Sequence, residues 1–249
     1  MVPAMRTTTN THTILLATAA LLLGACGSDS EKTTTDKTAA TPTSAAAAAK
    51  PLPKSPNTPI PAGRHTTSVF DPGLELEIPK NQSWRTAAFG ETSKTLALEL
   101  LAGKSVALTT LAFTHITTVA DPKRGARTSA DAVKAPDDLI DWLTKHPHLQ
   151  AEAPEDVTVG ELPGRAVTVT ADSAPKRMPE ECVETSRDCV PIYFDGDEPV
   201  FYTVGDRVRF TTLEVGGEQI VIEQFAAPPE QFDRVLGLME PVLKSIEIG

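Results

Sequence analysis

The strongest hydrophobic periodicity in the chain lies at its end. Phe232, Val235, Leu236, Met239, Val242, Leu243 and Ile246 recur at spacings of three and four, which lays them along one face of an α-helix starting near Pro229. Pro241 lacks a backbone donor and predicts a kink around Gly237. A second helix is expected from Pro136. Here proline stands in the first turn, Asp137 and Asp138 sit near the positive end of the helix dipole, and Leu139, Ile140, Trp142 and Leu143 form the apolar stripe before Pro147 ends it.

Outside these helices the period shortens to two. Leu74, Leu76 and Ile78 alternate with Glu75 and Glu77, and Leu96, Leu98 and Leu100 repeat the pattern, so each run predicts a strand with one buried and one wet face. Gly103-Lys104 predicts the turn into a long strand from Val106 to about Thr117, making a hairpin. Trp84 is expected to plug the end of the sheet. Val157–Val159 and Arg165–Thr170 flank the turn-rich Gly160-Glu161-Leu162-Pro163-Gly164, and Val190–Phe194 reads as a further strand. Gly216-Gly217 joins Arg207–Val215 to Gln219–Phe225 as a two-residue hairpin. Strands outnumber helices and their connections are short. The expected fold is therefore α+β, a largely antiparallel β-sheet covered by amphipathic helices.

The start of the chain follows another pattern. Arg6 precedes an apolar run from Ile14 to Leu23, followed by small residues before Cys26, the plan of an export signal. About ten apolar residues are too few to span roughly 30 Å of hydrocarbon as a helix. From Gly27 to Pro61 the chain is Thr, Ser, Ala, Pro and Lys with almost no large apolar side chain, a composition that cannot bury enough surface to order itself. The expected organisation is a signal peptide over 1–25, a disordered tether over 26–61 and one domain over 62–249. That domain carries 18 Lys and Arg against 30 Asp and Glu, which disfavours nucleic acid and anionic lipid surfaces as partners through repulsion.

Leu23-Gly24-Ala25-Cys26 resembles the lipobox of bacterial lipoproteins. The resemblance implies that Cys26 carries a diacylglycerol thioether, that residues 1–25 are removed, and that the protein is held on the extracytoplasmic face of the cell membrane by two or more acyl chains such as palmitate. With Cys26 assigned to lipid, an exported chain has an even number of cysteines left, and Cys182 pairs with Cys189. A second resemblance rests on Trp142-Leu143-Thr144-Lys145-His146-Pro147, Val157-Thr158-Val159-Gly160-Glu161-Leu162-Pro163-Gly164, Ala227-Pro228-Pro229-Glu230-Gln231-Phe232 and Leu243-Lys244-Ser245-Ile246. Together these are similar to actinobacterial lipoproteins of the LpqN type, which implies the α/β/α sandwich of the PsbP proteins. No catalytic set travels with it, and no PsbP metal-ligand motif matches residue by residue.

Candidate chemistry is sparse. There is no G-x-S-x-G elbow, and Gly103-Lys104-Ser105 lacks the upstream glycine of a phosphate loop because Leu98 stands there. His146-Pro147-His148 with Asp141 upstream could hold a transition metal, although two imidazoles at a helix end usually serve the dipole or solvent. His115 reads as a hydrogen-bonded sheet residue, and His65 lies at the edge of the tether. Asp195, Asp197 and Glu198 crowd around Gly196, as a solvated acidic turn or a weak calcium loop without EF-hand spacing. The expected function is a tethered, non-enzymatic adaptor for an envelope protein or other surface component, with no cofactor. A carrier or sensor of a small apolar ligand, held between the sheet and the terminal helix, is the alternative, and an enzyme built on His115 or His146 is the third reading.

Overall fold

A computed structural model describes residues 48–92 and 94–248. The expected signal peptide, Cys26 and the expected tether as far as residue 47 lie outside the described residues. The folded unit begins with β1 (Lys50–Pro51), β2 (Pro59–Ile60), β3 (Gly63–Thr67), β4 (Leu74–Ile78), β5 (Trp84–Glu91), β6 (Thr95–Leu100) and β7 (Leu108–Thr114). Next come β8 (Thr118–Val119), β9 (Val133–Lys134), α1 (Leu139–Thr144), β10 (Leu149–Ala151), β11 (Glu155–Val159) and β12 (Leu162–Ala171). It closes with α2 (Glu180–Glu184), β13 (Cys189–Asp195), β14 (Glu198–Thr203), β15 (Arg207–Val215), β16 (Glu218–Ala227), α3 (Phe232–Lys244) and β17 (Glu247–Ile248).

A central sheet runs β10-β12-β15-β16-β7-β6-β5-β2, with β11 added on β12, and all its pairings are antiparallel. Both its faces are buried. Ile220 and Ile222 of β16 point into a core shared with Leu96, Leu98, Leu111, Phe113 and α3, while Val221 points into a second core with Val167, Val169, Val208 and Phe210. The first face is covered by α3 and the sheet β1-β3-β4-β17, the second by α1 and the sheet β14-β13-β8-β9. The protein is sheet-rich, built mostly of antiparallel β-structure, with few helices.

The expectation of a wet face for β6 is corrected. All six residues from Thr95 to Leu100 are buried, Glu99 included, with Ala97 packed against Ala87 and Ala112 of the adjoining strands and Thr95 hydrogen-bonded to Thr114. Arg85 compensates Glu99 through two hydrogen bonds, at 2.8 and 2.9 Å. Trp84 is buried in β5, a strand the alternation did not reveal.

The expected domain boundary at 62 is also corrected. Leu52 is only 4% exposed, its N–H donates to the Thr66 carbonyl, and β1 pairs in parallel with β3. β2 adds Ile60 to the first core. Two buried apolar side chains, each flanked by prolines, suffice to dock a segment whose composition reads as linker.

Helix positions follow local chemistry. α1 starts at Leu139, three residues after Pro136, because the Asp138 carboxylate accepts the Asp141 N–H at 2.9 Å and caps the first turn. α3 continues through Pro241 and buries Phe232, Val235, Met239 and Val242. Its end docks on Gly160, whose N–H donates to the Leu243 carbonyl. A Cβ at Gly160, where φ is +57°, would stand 1.9 Å from the Ile246 carbonyl oxygen. Gly216 and Gly217 adopt φ of +61° and +86° and close the β15–β16 hairpin as expected.

Candidate binding site

Cys182, in α2, and Cys189, the first residue of β13, form a disulfide. Both are buried. The bridge fastens α2, which the sequence reading did not anticipate, to the second covering sheet.

That sheet is pinned to the centre by a group the sequence reading missed. Glu223 is 4% exposed in the middle of β16, on the face toward the second core, and its two carboxylate oxygens accept the hydroxyls of Tyr193 from β13 and Tyr202 from β14. Burial raises the pKa of Glu223, partly opposed by the two tyrosine hydrogen bonds, and burial with the adjacent carboxylate raises both phenols. Among the described residues no cation pairs with Glu223, so the tyrosines supply its compensation. The available signal was a lone carboxylate inside Ile220-Val221-Ile222-Glu223, where an exposed strand face would have been the ordinary explanation. Buried together, the three groups tie strands of the central sheet to strands of the covering sheet.

The histidines separate into distinct roles. His65 is buried within β3, not at a tether edge, and its Nε2–H donates to the Pro61 carbonyl at 2.8 Å. His115 follows β7. Its Nδ1–H donates to the Gln219 carbonyl at 3.1 Å, Nε2 stands 3.4 Å from Glu218, and the ring meets Phe70 edge-on. His146 is 5% exposed just beyond α1. The His148 N–H donates to its Nδ1 at 3.3 Å, which puts the proton of the neutral ring on Nε2. Nε2 is buried without a hydrogen-bond partner among the described residues. Burial, helped by His148, lowers the imidazole pKa to about 4.

His146 lines a cavity of about 370 Å³ with Trp142, Pro122, Pro136, Asp138, Asp141 and Lys145. Trp142 lies one helical turn before His146, their rings in edge contact at 4.9 Å. Lys145 Nζ pairs with Asp141 at 2.8 Å, and Asp138 receives Arg165 at 2.9 Å. The rings of His146 and His148, the metal pair considered from the sequence, meet edge-on at 5.9 Å between centroids. His148 Nδ1 lies 3.0 Å from Ser173 Oγ, and no group of three or more His, Cys, Asp or Glu side chains is placed to hold a metal among the described residues. The acidic turn of Asp195, Gly196, Asp197 and Glu198 connects β13 to β14, with Thr92 donating to Asp195 and Ser129 to Asp197.

Two larger open grooves flank the fold. One, of about 720 Å³, runs over the β11–β12 edge between Asp156, Arg165 and Glu214. Another, of about 620 Å³, lies where β1 enters, beside Thr66, Phe70 and Asp71. Neither lies between α3 and the central sheet, where Phe232, Val235, Met239 and Val242 pack into the core.

No protein-family model matches the chain, and no curated protein does. Among solved structures, the solution structure of cyanobacterial PsbP (CyanoP) from Synechocystis sp. PCC 6803 is similar at 13% identity and a TM-score of 0.33, covering 76% of this chain and 94% of that one. A likeness of this size carries neither fold nor activity across.

Proposed function

We propose that this chain is a lipoprotein anchored through Cys26 on the extracytoplasmic face of the membrane, and that its folded part is a binding or adaptor module for an envelope component. The lipobox-like Leu23-Gly24-Ala25-Cys26 supports the anchor, and the Cys182–Cys189 disulfide suits an oxidising compartment outside the cytosol. A central antiparallel sheet with a helix-bearing layer on each face is the arrangement that the resemblance to LpqN-type, PsbP-like α/β/α sandwiches implies.

One observation carries the choice of a module over an enzyme. Glu223, Tyr193 and Tyr202, which burial perturbs, lie inside the core, and the ionisable side chains lining the open grooves include Arg165 and Asp138, which are paired with each other. His146 is perturbed and lines a cavity, but among the described residues no carboxylate or hydroxyl hydrogen-bonds to its ring, whereas a catalytic acid or base works with such a partner within reach of substrate. The filled interface beneath α3 favours the adaptor over an apolar-ligand carrier.

The test is metabolic labelling with an alkyne fatty acid in the native host, comparing the wild-type chain with Cys26→Ser. The wild-type chain is expected in the membrane fraction bearing label, and the variant without label. An unlabelled wild-type protein overturns the anchor. In-situ cross-linking of the labelled protein is expected to give one reproducible stoichiometric adduct, and recovery of the protein alone counts against the adaptor.

A further inference from the structure

The buried Nε2–H of His146 is a donor for which none of the described residues supplies an acceptor. Leaving such a group unpaired costs free energy, and the residue that carries it lines a cavity together with an indole. A ligand that repays this site has three properties. It offers a hydrogen-bond acceptor to a neutral N–H, an apolar face to Trp142 and the rings of Pro122 and Pro136, and hydroxyl donors to the free lone pairs of Asp138 and Asp141.

Charge narrows the class further. The lining holds two carboxylates against one ammonium, Lys145, in a chain of net charge −10, so an anion would be approached against repulsion. A cation has only donors to offer and leaves the Nε2–H unanswered. A neutral sugar satisfies all three demands at once, since its ring presents C–H on one face and hydroxyls at the edge. About 370 Å³ lies within the range of small-molecule sites. From the cavity lined by His146 and Trp142 together with the unpartnered Nε2–H, we infer that this site binds a neutral sugar unit. Solvent does not reach Nε2. The assignment therefore requires the lining to shift when ligand binds, and Trp142, half-buried and edge-on to the imidazole at 4.9 Å, is the neighbour from which that shift is required.

This assignment rests on the domain being a binding module and names its ligand; it does not depend on the anchor. The chain has two tryptophans, of which Trp84 is buried in the core, so a Trp84→Phe variant reports on Trp142 alone. With the full chain in detergent, N-acetylglucosamine is expected to give a saturable change in Trp142 fluorescence. Glucuronic acid should bind at least tenfold more weakly. His146→Phe, which keeps a ring and removes the N–H, should weaken the neutral sugar about tenfold, the effect of one hydrogen bond. His146→Gln restores a donor, and partial recovery of affinity separates that donor from a packing role. No saturable response to the neutral sugar, equal binding of glucuronic acid, or unchanged affinity in His146→Phe overturns the assignment. Fatty-acid labelling and cross-linking are unaffected by any of these results, so failure of the sugar site and failure of the anchored module are told apart.

Discussion

Acidification should destabilise the domain through His146. In the unfolded chain its imidazole titrates near the ordinary value of 6.5, while burial holds the folded-state value at about 4. Between these two values the unfolded state takes up a proton that the folded state refuses. Stability is therefore fully present above about pH 6.5 and declines as pH falls toward 4. At about 1.4 kcal/mol for each pH unit between the two values, the complete loss is about 3 kcal/mol, of which about 2 kcal/mol falls between pH 7 and pH 5. Glu223 and Asp206, whose pKa values are raised by burial, act in the opposite sense, since their folded forms gain protons first as pH falls.

Those opposing groups cancel in a difference measurement. Urea unfolding followed by circular dichroism at pH 7, 6 and 5, on the wild-type chain and on His146→Phe, gives the His146 contribution as the difference between two stability curves. The expected gap narrows by about 2 kcal/mol in favour of the variant as pH drops from 7 to 5. A difference curve flat to within about 0.5 kcal/mol over that range would refute the buried, neutral imidazole.

Three further outcomes are expected. Glu223→Gln keeps the shape of the side chain but offers one acceptor oxygen to two tyrosine hydroxyls, and should cost about 1–3 kcal/mol in chemical denaturation. Gly160→Ala places a methyl against the Ile246 carbonyl at a left-handed backbone position and should lower stability by about 2–4 kcal/mol, read as a shift in the urea midpoint, with the end of α3 losing amide-exchange protection first. Reducing the Cys182–Cys189 bridge, which closes a loop over a sequence separation of 7, should cost about 2.5 kcal/mol in the chain-entropy estimate, visible as a lower thermal midpoint in dithiothreitol.

Much of the architecture was legible along the chain. The β6–β7 and β15–β16 hairpins, the strand at Leu74–Ile78 and the terminal helix follow from periodicity and turn glycines, signals carried by neighbouring residues. β1 and β2 were hidden because their docking depends on single side chains, Leu52 and Ile60, reaching a core built from residues far along the chain. The Glu223 cluster was hidden for a related reason. The carboxylate belongs to β16 and its donors to β13 and β14, so only the stacking of two sheets reveals that it is buried. At His146 the residue was legible and its state was not. A histidine after a helix looks solvent-exposed until Trp142, the approach of His148 and the core beneath are in place.

β1, where the folded unit begins, and β17, where the described chain ends, belong to the same four-stranded sheet, and Arg64 joins Glu75 to Glu247 across it. A pull applied between the two ends of the domain is therefore carried by that small outer sheet, while the long strands of the central sheet stay out of the line of force. Under tension this layer should peel away first, leaving the Glu223 core and the His146 cavity on the opposite face undisturbed.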